Sequence, residues 1–194
     1  MFKSLSQRWR ESLRRFARSE RGVAALEFAF VGPPFILIFF VTIESGFMML
    51  TEYVLQSAVQ DSARLVRTGQ AQLNPLSSAQ FKTEICKTAS LIINCTGLVT
   101  VYVRSDVNFS TLKAKMPPLL NVGPSISGSP SAPACYNPGQ PSQPAAVVAT
   151  YDWNFNVWGM GAFGNMGNSS TRRLVGFSLF MNEPFAPTAT NVCA

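Results

Sequence analysis

The hydrophobic pattern of the chain begins with an almost unbroken apolar run, from Val23 to Ile43, that only Glu27 and Thr42 interrupt. At 1.5 Å per residue such a run forms a helix of ~30 Å, which is enough to cross the hydrocarbon core of a bilayer. Its Gly32-Pro33-Pro34 step predicts a bend, because each proline lacks a backbone donor and crowds the preceding turn. The pattern therefore predicts a transmembrane segment over residues 23–43.

A helical pattern continues beyond this run, where apolar side chains recur every three or four residues from Phe47 to Leu65. An opposite stripe at four-residue spacing is polar: Glu52, Gln56, Gln60 and Arg64. Such a pattern is typical of a helix that lays one side on a globular domain, and Gly69 is placed to end it. We predict one helix from about Val23 to Thr68, ~70 Å long, of which the part in residues 44–69 lies outside the membrane.

A second helix is predicted to start near Ser77. Ser77 and Gln80 form a capping box, and Leu76 and Phe81 stand on either side of its start as a hydrophobic staple. These features indicate that the chain re-enters regular structure soon after the long helix ends.

The remainder of residues 70–194 has the pattern of a small domain with a few strands. Runs rich in β-branched and aromatic residues predict strands at 98–103, 147–158 and 172–181, and the last two are expected to pair. Residues 117–146 are rich in proline and serine and predict a long loop. The expected fold class is α+β, with the long N-terminal helix packed on antiparallel strands.

Charge gives the first 22 residues a separate character. They hold seven basic and two acidic side chains, a net charge of +5, whereas the whole chain carries +6. A positive block directly before an apolar run places residues 1–22 in the cytoplasm and the domain on the other side of the membrane. Because the rest of the chain is nearly neutral, nucleic acid is not expected as a partner.

A secretory signal peptide and a buried core helix both fit the apolar run less well than a membrane span does. The hydrophobic stretch is too long for a signal peptide, and no small-x-small cleavage site follows it. A buried core helix would not need a block of arginines immediately upstream. A membrane-spanning segment is therefore the preferred interpretation.

The chemistry of the side chains argues against catalysis and against a metal site. The chain has no histidine, so histidine-based acid/base or triad chemistry is excluded. Its four cysteines are too widely spaced for a zinc site and fit two disulfides in an oxidising compartment. Three pairings are open to them, of which we favour Cys86–Cys95 with Cys135–Cys193. Residues 159–164 match Gly-x-Gly-x-x-Gly, but no βαβ unit surrounds them, so a glycine-rich turn is expected.

Several residues resemble those of one family. A glycine, Gly22, follows the basic leader, and Glu27 and Phe28 come five and six residues later. A proline in the span, an Ile-Glu-x-Gly step and an Ala/Arg-rich helix complete the pattern, at Pro33, Glu44, Gly46 and Arg64. This combination resembles the TadE-like family of tight-adherence (Tad) pilus pseudopilins. The late Asn182–Phe185 stretch also resembles a C-terminal feature of these proteins.

The resemblance implies a role in building a pilus. A prepilin peptidase would cut after Gly22 on the cytoplasmic face, so that Val23 becomes the N-terminus. The product would be a minor pseudopilin of the bacterial inner membrane with a periplasmic domain, and it would stay in the membrane or enter the extracellular fibre. Its implied partners are the membrane, the peptidase, other Tad pilins and pseudopilins, and the inner-membrane assembly platform. No cofactor and no small-molecule substrate are implied.

Electrostatics can explain a carboxylate at position 27 in this apolar run. A carboxylate in lipid is costly, but a new α-amine at Val23 could pair with it, either within one helix at i, i+4 spacing or between neighbouring helices. The alternative is an interfacial carboxylate that reaches water without a partner. For Glu44 the preferred interpretation is a solvated residue at the outer membrane boundary, and the alternative is a contact with another pilus protein.

Two further functions remain open. The protein could keep its leader and act as a single-pass, membrane-tethered periplasmic scaffold or binding protein of the same secretion system. An enzyme is the least favoured, because the few carboxylates outside the long helix show no paired spacing: Glu84, Asp106, Asp152 and Glu183.

Overall fold

The computed structural model describes residues 20–90, 92–95, 99–116, 136–165 and 170–186. The chain divides into two compact units, Met1–Glu44 and Ser45–Ala194. The described residues of the first unit form the beginning of a long helix. The second unit contains the rest of that helix together with a sheet.

The long helix, α1, spans Glu20–Arg67. By length and composition it is the one helix among the described residues that could cross a membrane. It begins three residues earlier than the predicted start at Val23 and runs on through Pro33 and Pro34, where the expected bend stays a prediction. The residues on both sides of the prolines are mostly phenylalanine, valine and isoleucine, which are not strong helix formers, so propensity alone does not explain the helix here. The hydroxyl of Thr42 donates to the carbonyl of Ile38 at 2.9 Å.

The end of α1 is set by glycine chemistry. Gly69 has φ 80, a left-handed conformation that costs glycine little, and its N–H donates to the carbonyl of Val66 at 3.2 Å. The prediction that Gly69 stops the helix is confirmed. A short helix, α2 (Gln70–Leu73), follows directly.

The next helix, α3, spans Ser78–Ala89 and has the predicted capping box. The backbone N–H of Ser77 donates to the Gln80 side chain at 2.8 Å, and the Gln80 N–H donates back to the Ser77 hydroxyl at 3.3 Å. Phe81, Ile85 and Ala89, each four residues apart, form its buried face. Cys86 on α3 forms a disulfide with Cys95, with their Cα atoms 5.9 Å apart. Cys135 and Cys193 lie outside the described residues, so their pairing stays a prediction.

The sheet has three antiparallel strands in the order β1-β2-β3: Val99–Ser105, Pro144–Asn154 and Thr171–Met181. The pairing of the last two strands is confirmed, but the middle strand differs from the prediction of 147–158. It starts at Pro144, inside the predicted loop 117–146, and ends at Asn154, which pairs with the first residue of β3. Beyond Asn154 the chain turns through Gly159, which has φ 87, into a short 3-10 helix (Met160–Phe163). A further helix, α4 (Phe109–Lys115), was not predicted.

The core of the second unit lies between one face of the sheet and the second half of α1. Leu55, Val59 and Val66 of α1 are buried with residues of all three strands and α3. The helix lies tightly against the sheet at Gly176, where an added Cβ would stand 2.9 Å from a Val59 methyl and 3.0 Å from the Leu55 carbonyl oxygen. The prediction that this half lays an apolar face on the domain is confirmed.

The outer edge of β3 is closed by two side-chain amides. Gln56 of α1 exchanges two hydrogen bonds with the backbone of Phe177, both 2.9 Å long. Asn165 does the same with Arg173, at 3.1 and 2.6 Å. Each amide takes the place of a neighbouring strand, so part of an otherwise exposed edge has its donors and acceptors satisfied.

Candidate functional site

The predicted processing site lies in helical backbone. The described part of α1 includes Glu20, so the backbone of Gly22 and Val23 is helical. Glycine is a weak helix former, which makes Gly22 a point where the helix is more easily unwound than at its apolar neighbours.

Glu27 lies one turn beyond Val23, and both side chains are exposed. At the i, i+4 spacing they share one side of the helix, about 6 Å apart along its axis. Within the described part of the chain, no ion pair to the Glu27 carboxylate is seen. An amine created at Val23 would thus meet an available carboxylate.

Phe28 and Pro33 complete the exposed motif in the first unit. The ring of Phe28 extends along the helix over Gly32, where an added Cβ would stand 3.4 Å from two ring carbons. Gly32 thus lets the ring lie against bare backbone, a packing role in addition to the bend that the sequence predicts there. Pro33 lies inside the apolar segment of α1 and is exposed.

Glu44 differs from the prediction. We preferred a solvated residue at the membrane boundary, but its side chain is only 8% exposed. Burial of a carboxylate is costly without a partner, and Glu44 does take part in an interaction within the structure. The solvated interpretation is therefore wrong, because Glu44 is shielded by its own chain.

Gly46 and Arg64 both lie on the outside of α1. An added Cβ at Gly46 would meet nothing within 4 Å, so no contact in the chain requires a glycine there. Arg64 is exposed as well, on the polar side of the packed half. The family motif thus places both residues where something outside the chain can reach them.

The Asn182–Phe185 stretch closes the domain against the end of α1. The N–H of Glu183 donates to the carbonyl of Arg67 at 2.9 Å, which satisfies one of the free carbonyls at the helix end. Phe185 lies on Gly69, whose added Cβ would stand 2.6 Å from the ring. The buried amide of Asn182 donates to the carbonyls of Pro138 and Gln140 at 2.9 and 3.0 Å. Sequence resemblance identified this stretch, but only the structure gives its role.

One partly buried ion pair was not predicted from the sequence. Asp152 and Arg173 are directly opposite in the β2–β3 register and form a two-pronged pair at 2.7 and 2.8 Å. The hydrogen bonds that Arg173 donates to Asp152 raise the pKa of Arg173, and burial raises the pKa of the nearby Tyr102. Aligning the predicted strands about their connection, with 158 opposite 172, would have placed Asp152 opposite Ser178, so the pair follows only from the observed register.

No group of three or more histidine, cysteine, aspartate or glutamate residues in the described part of the chain could hold a metal ion. The polar groups of the domain instead bind each other or the backbone, as in the Asp152–Arg173 pair and the Asn182 amide. The exposed N-terminal motif is therefore the strongest candidate for function, and it suits contacts with lipid and other helices.

A single apolar N-terminal helix joined to a small α+β unit fits the class of proteins that have a membrane anchor and a folded domain. Comparison with protein families refines it, since residues 22–64 match the family described as TadE-like protein. The match starts at Gly22 and includes Glu27, Pro33, Glu44, Gly46 and Arg64. The predicted resemblance is confirmed over this segment, which associates the chain with the Tad pilus system. No curated protein and no solved structure matches the chain.

Proposed function

We propose that this protein is a minor pseudopilin that takes part in assembling a Tad-type adhesive pilus, after a prepilin peptidase cuts between Gly22 and Val23. The observation that carries the proposal is the match to the TadE-like family, which begins at Gly22 and includes Glu27. The basic residues 1–22 hold the leader in the cytoplasm, and the domain lies in the periplasm.

Cleavage changes the electrostatics of the helix start. The α-amine released at Val23 is a cation within reach of Glu27, whose carboxylate is exposed in the intact chain. A charge pair formed in the low dielectric near the membrane interface is stronger than the same pair in water. Pairing between neighbouring helices would fix their axial offset, which is what an assembling fibre needs.

The domain supplies a rigid body at the outer end of the helix. The packed half of α1 is anchored by Leu55 and Val59, and its end is closed by Glu183 and Phe185. Movement of the helix by the assembly platform would therefore move the whole domain. Its proposed partners are other Tad pilins and pseudopilins, the platform and the peptidase.

Substitution of Glu27 tests this proposal. We expect Glu27→Ala to abolish or severely reduce pilus assembly, while Glu27→Asp retains part of it because the charge remains. Glu52→Ala is the matched control, since Glu52 is an exposed carboxylate on the packed half of α1. Pili counted on cells and in sheared fractions give the readout, with the protein level in membranes measured alongside. Normal assembly by Glu27→Ala at normal protein level would contradict the proposal.

A second candidate function is an uncleaved, membrane-tethered periplasmic scaffold or binding protein of the same system. It is favoured by one observation: α1 starts at Glu20, so the proposed cut falls in helical backbone. In that case Glu27 would have no new amine to pair with, and Glu27→Ala would leave assembly largely unchanged.

A further inference from the structure

The first turns of α1 in the second unit expose large apolar side chains. Four exposed residues are here called the helix collar: Phe47, Met49, Leu50 and Tyr53. Met49, Leu50 and Tyr53 lie on the side of α1 away from the buried Thr51 and Leu55, whereas Phe47 lies one turn before Thr51. Tyr53 is 71% exposed. The collar continues the exposed apolar surface of the preceding helix turns along the same element. The core of the domain does not include these residues, so the reason for exposing such large apolar side chains is to be sought in contacts outside the chain.

The same side of α1 becomes polar a few residues later. After Tyr53 its exposed residues are Gln60, Asp61, Arg64 and Arg67. A helix side that faced water throughout would not change character between residues 53 and 60. The change marks a boundary between an apolar and an aqueous environment, and tyrosine is a residue enriched at such boundaries in membranes.

Contacts between α1 and β3 show which end of the sheet lies beside the collar. Phe177 bonds to Gln56, and six residues later Glu183 bonds to Arg67, which is eleven residues later in α1. The two elements therefore run in the same direction. The same intervals can be counted backwards, from Phe177 to Thr171 in β3 and from Gln56 to residue 45 in α1. Thr171 therefore lies level with the start of the Ser45–Ala194 unit.

The connection before β3 consequently lies at the collar end of the domain. Its residues 155–165 contain no charged side chain. They present Trp158, which is 86% exposed, and Phe163, which is 61% exposed. A tryptophan so exposed on a domain with a well-packed core indicates a contact outside the chain.

We propose that the helix collar, Trp158 and Phe163 form one membrane-contact surface that lies in the headgroup region of the bilayer. Lipid fits better than a protein partner for three reasons. The collar continues the apolar surface of the spanning helix, the loop carries no charge, and tyrosine and tryptophan are the residues that favour this interface. The surface keeps the domain against the membrane while the protein resides there. This inference rests on the proposed membrane anchoring of α1.

Fluorescence quenching by lipids tests the surface directly. Full-length protein is reconstituted in liposomes with or without phospholipids brominated near the headgroup, and wild type is compared with Trp158→Phe. We expect brominated lipid to quench wild type more than Trp158→Phe, with the difference due to Trp158. As a matched control, Met181→Trp combined with Trp158→Phe moves the reporter to an exposed position at the opposite end of β3. That reporter should be quenched by aqueous iodide and not by brominated lipid.

Equal quenching of wild type and Trp158→Phe would overturn the proposal. Shielding of Trp158 from both iodide and brominated lipid would also overturn it, since a protein would then cover the surface. Carbonate extraction separates this failure from failure of the anchor. Protein that stays in the membrane but shows no Trp158 quenching keeps the proposed anchoring and refutes only the contact surface, whereas protein that is extracted refutes both.

Discussion

The two halves of α1 have the same secondary structure but different surroundings. In residues 23–43 large apolar side chains are exposed on every side of the helix, whereas in residues 45–67 one side is buried against the sheet and α3. The first half fits an apolar solvent, because a helix satisfies its backbone hydrogen bonds internally and the exposed side chains are apolar. The second half gains its stability from a domain of its own chain.

The difference shows that helix length and apolar composition do not by themselves tell where a membrane ends. Exposed apolar side chains continue to Tyr53, ten residues beyond the predicted boundary at Ile43. What changes near residue 44 is the opposite side of the helix, where burial begins with Glu44 and continues with Thr51 and Leu55. The change in surroundings therefore falls at different residues on the two sides of α1.

The largest expected effect comes from truncating a leucine in each half. Leu55 is fully buried, and Leu55→Ala should destabilise the domain by about 2–5 kcal/mol because it leaves a cavity. Leu37→Ala is the matched change in the exposed half, where Leu37 is 40% exposed, and it should change domain stability by less than ~0.5 kcal/mol. Thermal unfolding of the full-length protein in detergent measures both. Equal losses of stability in the two variants would contradict the difference between the two halves of α1.

The closed end of the packed half gives the next effect. Gly69→Ala should cost about 2 kcal/mol, because alanine disfavours φ 80 and its Cβ would collide with Phe185. In a Phe185→Ala background the collision is relieved, so the same change should cost only ~1 kcal/mol, the backbone part. Unfolding of the four proteins in this cycle gives both values. An unchanged cost in the Phe185→Ala background would show that the ring does not determine the need for glycine.

A smaller effect is expected where α1 protects the sheet edge. Gln56→Ala removes two hydrogen bonds to Phe177 at a partly exposed site and should destabilise by about 1 kcal/mol. It also leaves an open strand edge, which favours self-association. Gln60→Ala, an exposed glutamine one turn later, is the control and should be neutral. Light scattering and thermal unfolding report both effects, and identical behaviour of the two variants would remove Gln56 as an edge-closing residue.

The smallest effect at neutral pH concerns Tyr136, which packs on Phe81 with ring centroids 5.4 Å apart. Burial raises the pKa of Tyr136 from 10.0 to about 12. The unfolded chain therefore loses this proton first, and stability that is complete below pH ~10 is lost as the pH rises toward 12.

Tyr136→Phe removes this titration together with a buried hydroxyl that has no hydrogen-bond partner in the described structure. The variant should match wild type at pH 7 and resist alkaline unfolding better, which circular dichroism across pH 9–12 would measure. A parallel alkaline loss in both proteins would show that Tyr136 does not cause it.

Much of the fold was predictable because it depends on local patterns. The capping box at Ser77 and the stop at Gly69 are set by a few neighbouring residues, and the strand pair is set by alternation. The bounds of β2 were not predictable from alternation, since the pattern continues to Trp158 while pairing stops at Asn154, opposite the first residue of β3.

The candidate site was predictable in its motif residues and not in their surroundings. Gly22, Glu27 and Gly46 were identified from spacing and resemblance, which the match over residues 22–64 supports. The burial of Glu44 and the packing of Phe185 on Gly69 depend on contacts formed only in the folded chain. Resemblance pointed to Asn182–Phe185 without a physical reason, and the structure provides one.

The measurement that tests the central claim most directly is the intact mass and N-terminal sequence of the protein extracted from membranes that contain the prepilin peptidase. The account predicts an N-terminus at Val23, and it predicts the uncut chain when Gly22 is replaced by a bulky residue or the peptidase is absent. A wild-type protein that retains residues 1–22 while pili assemble normally would contradict the account and support the uncleaved scaffold instead.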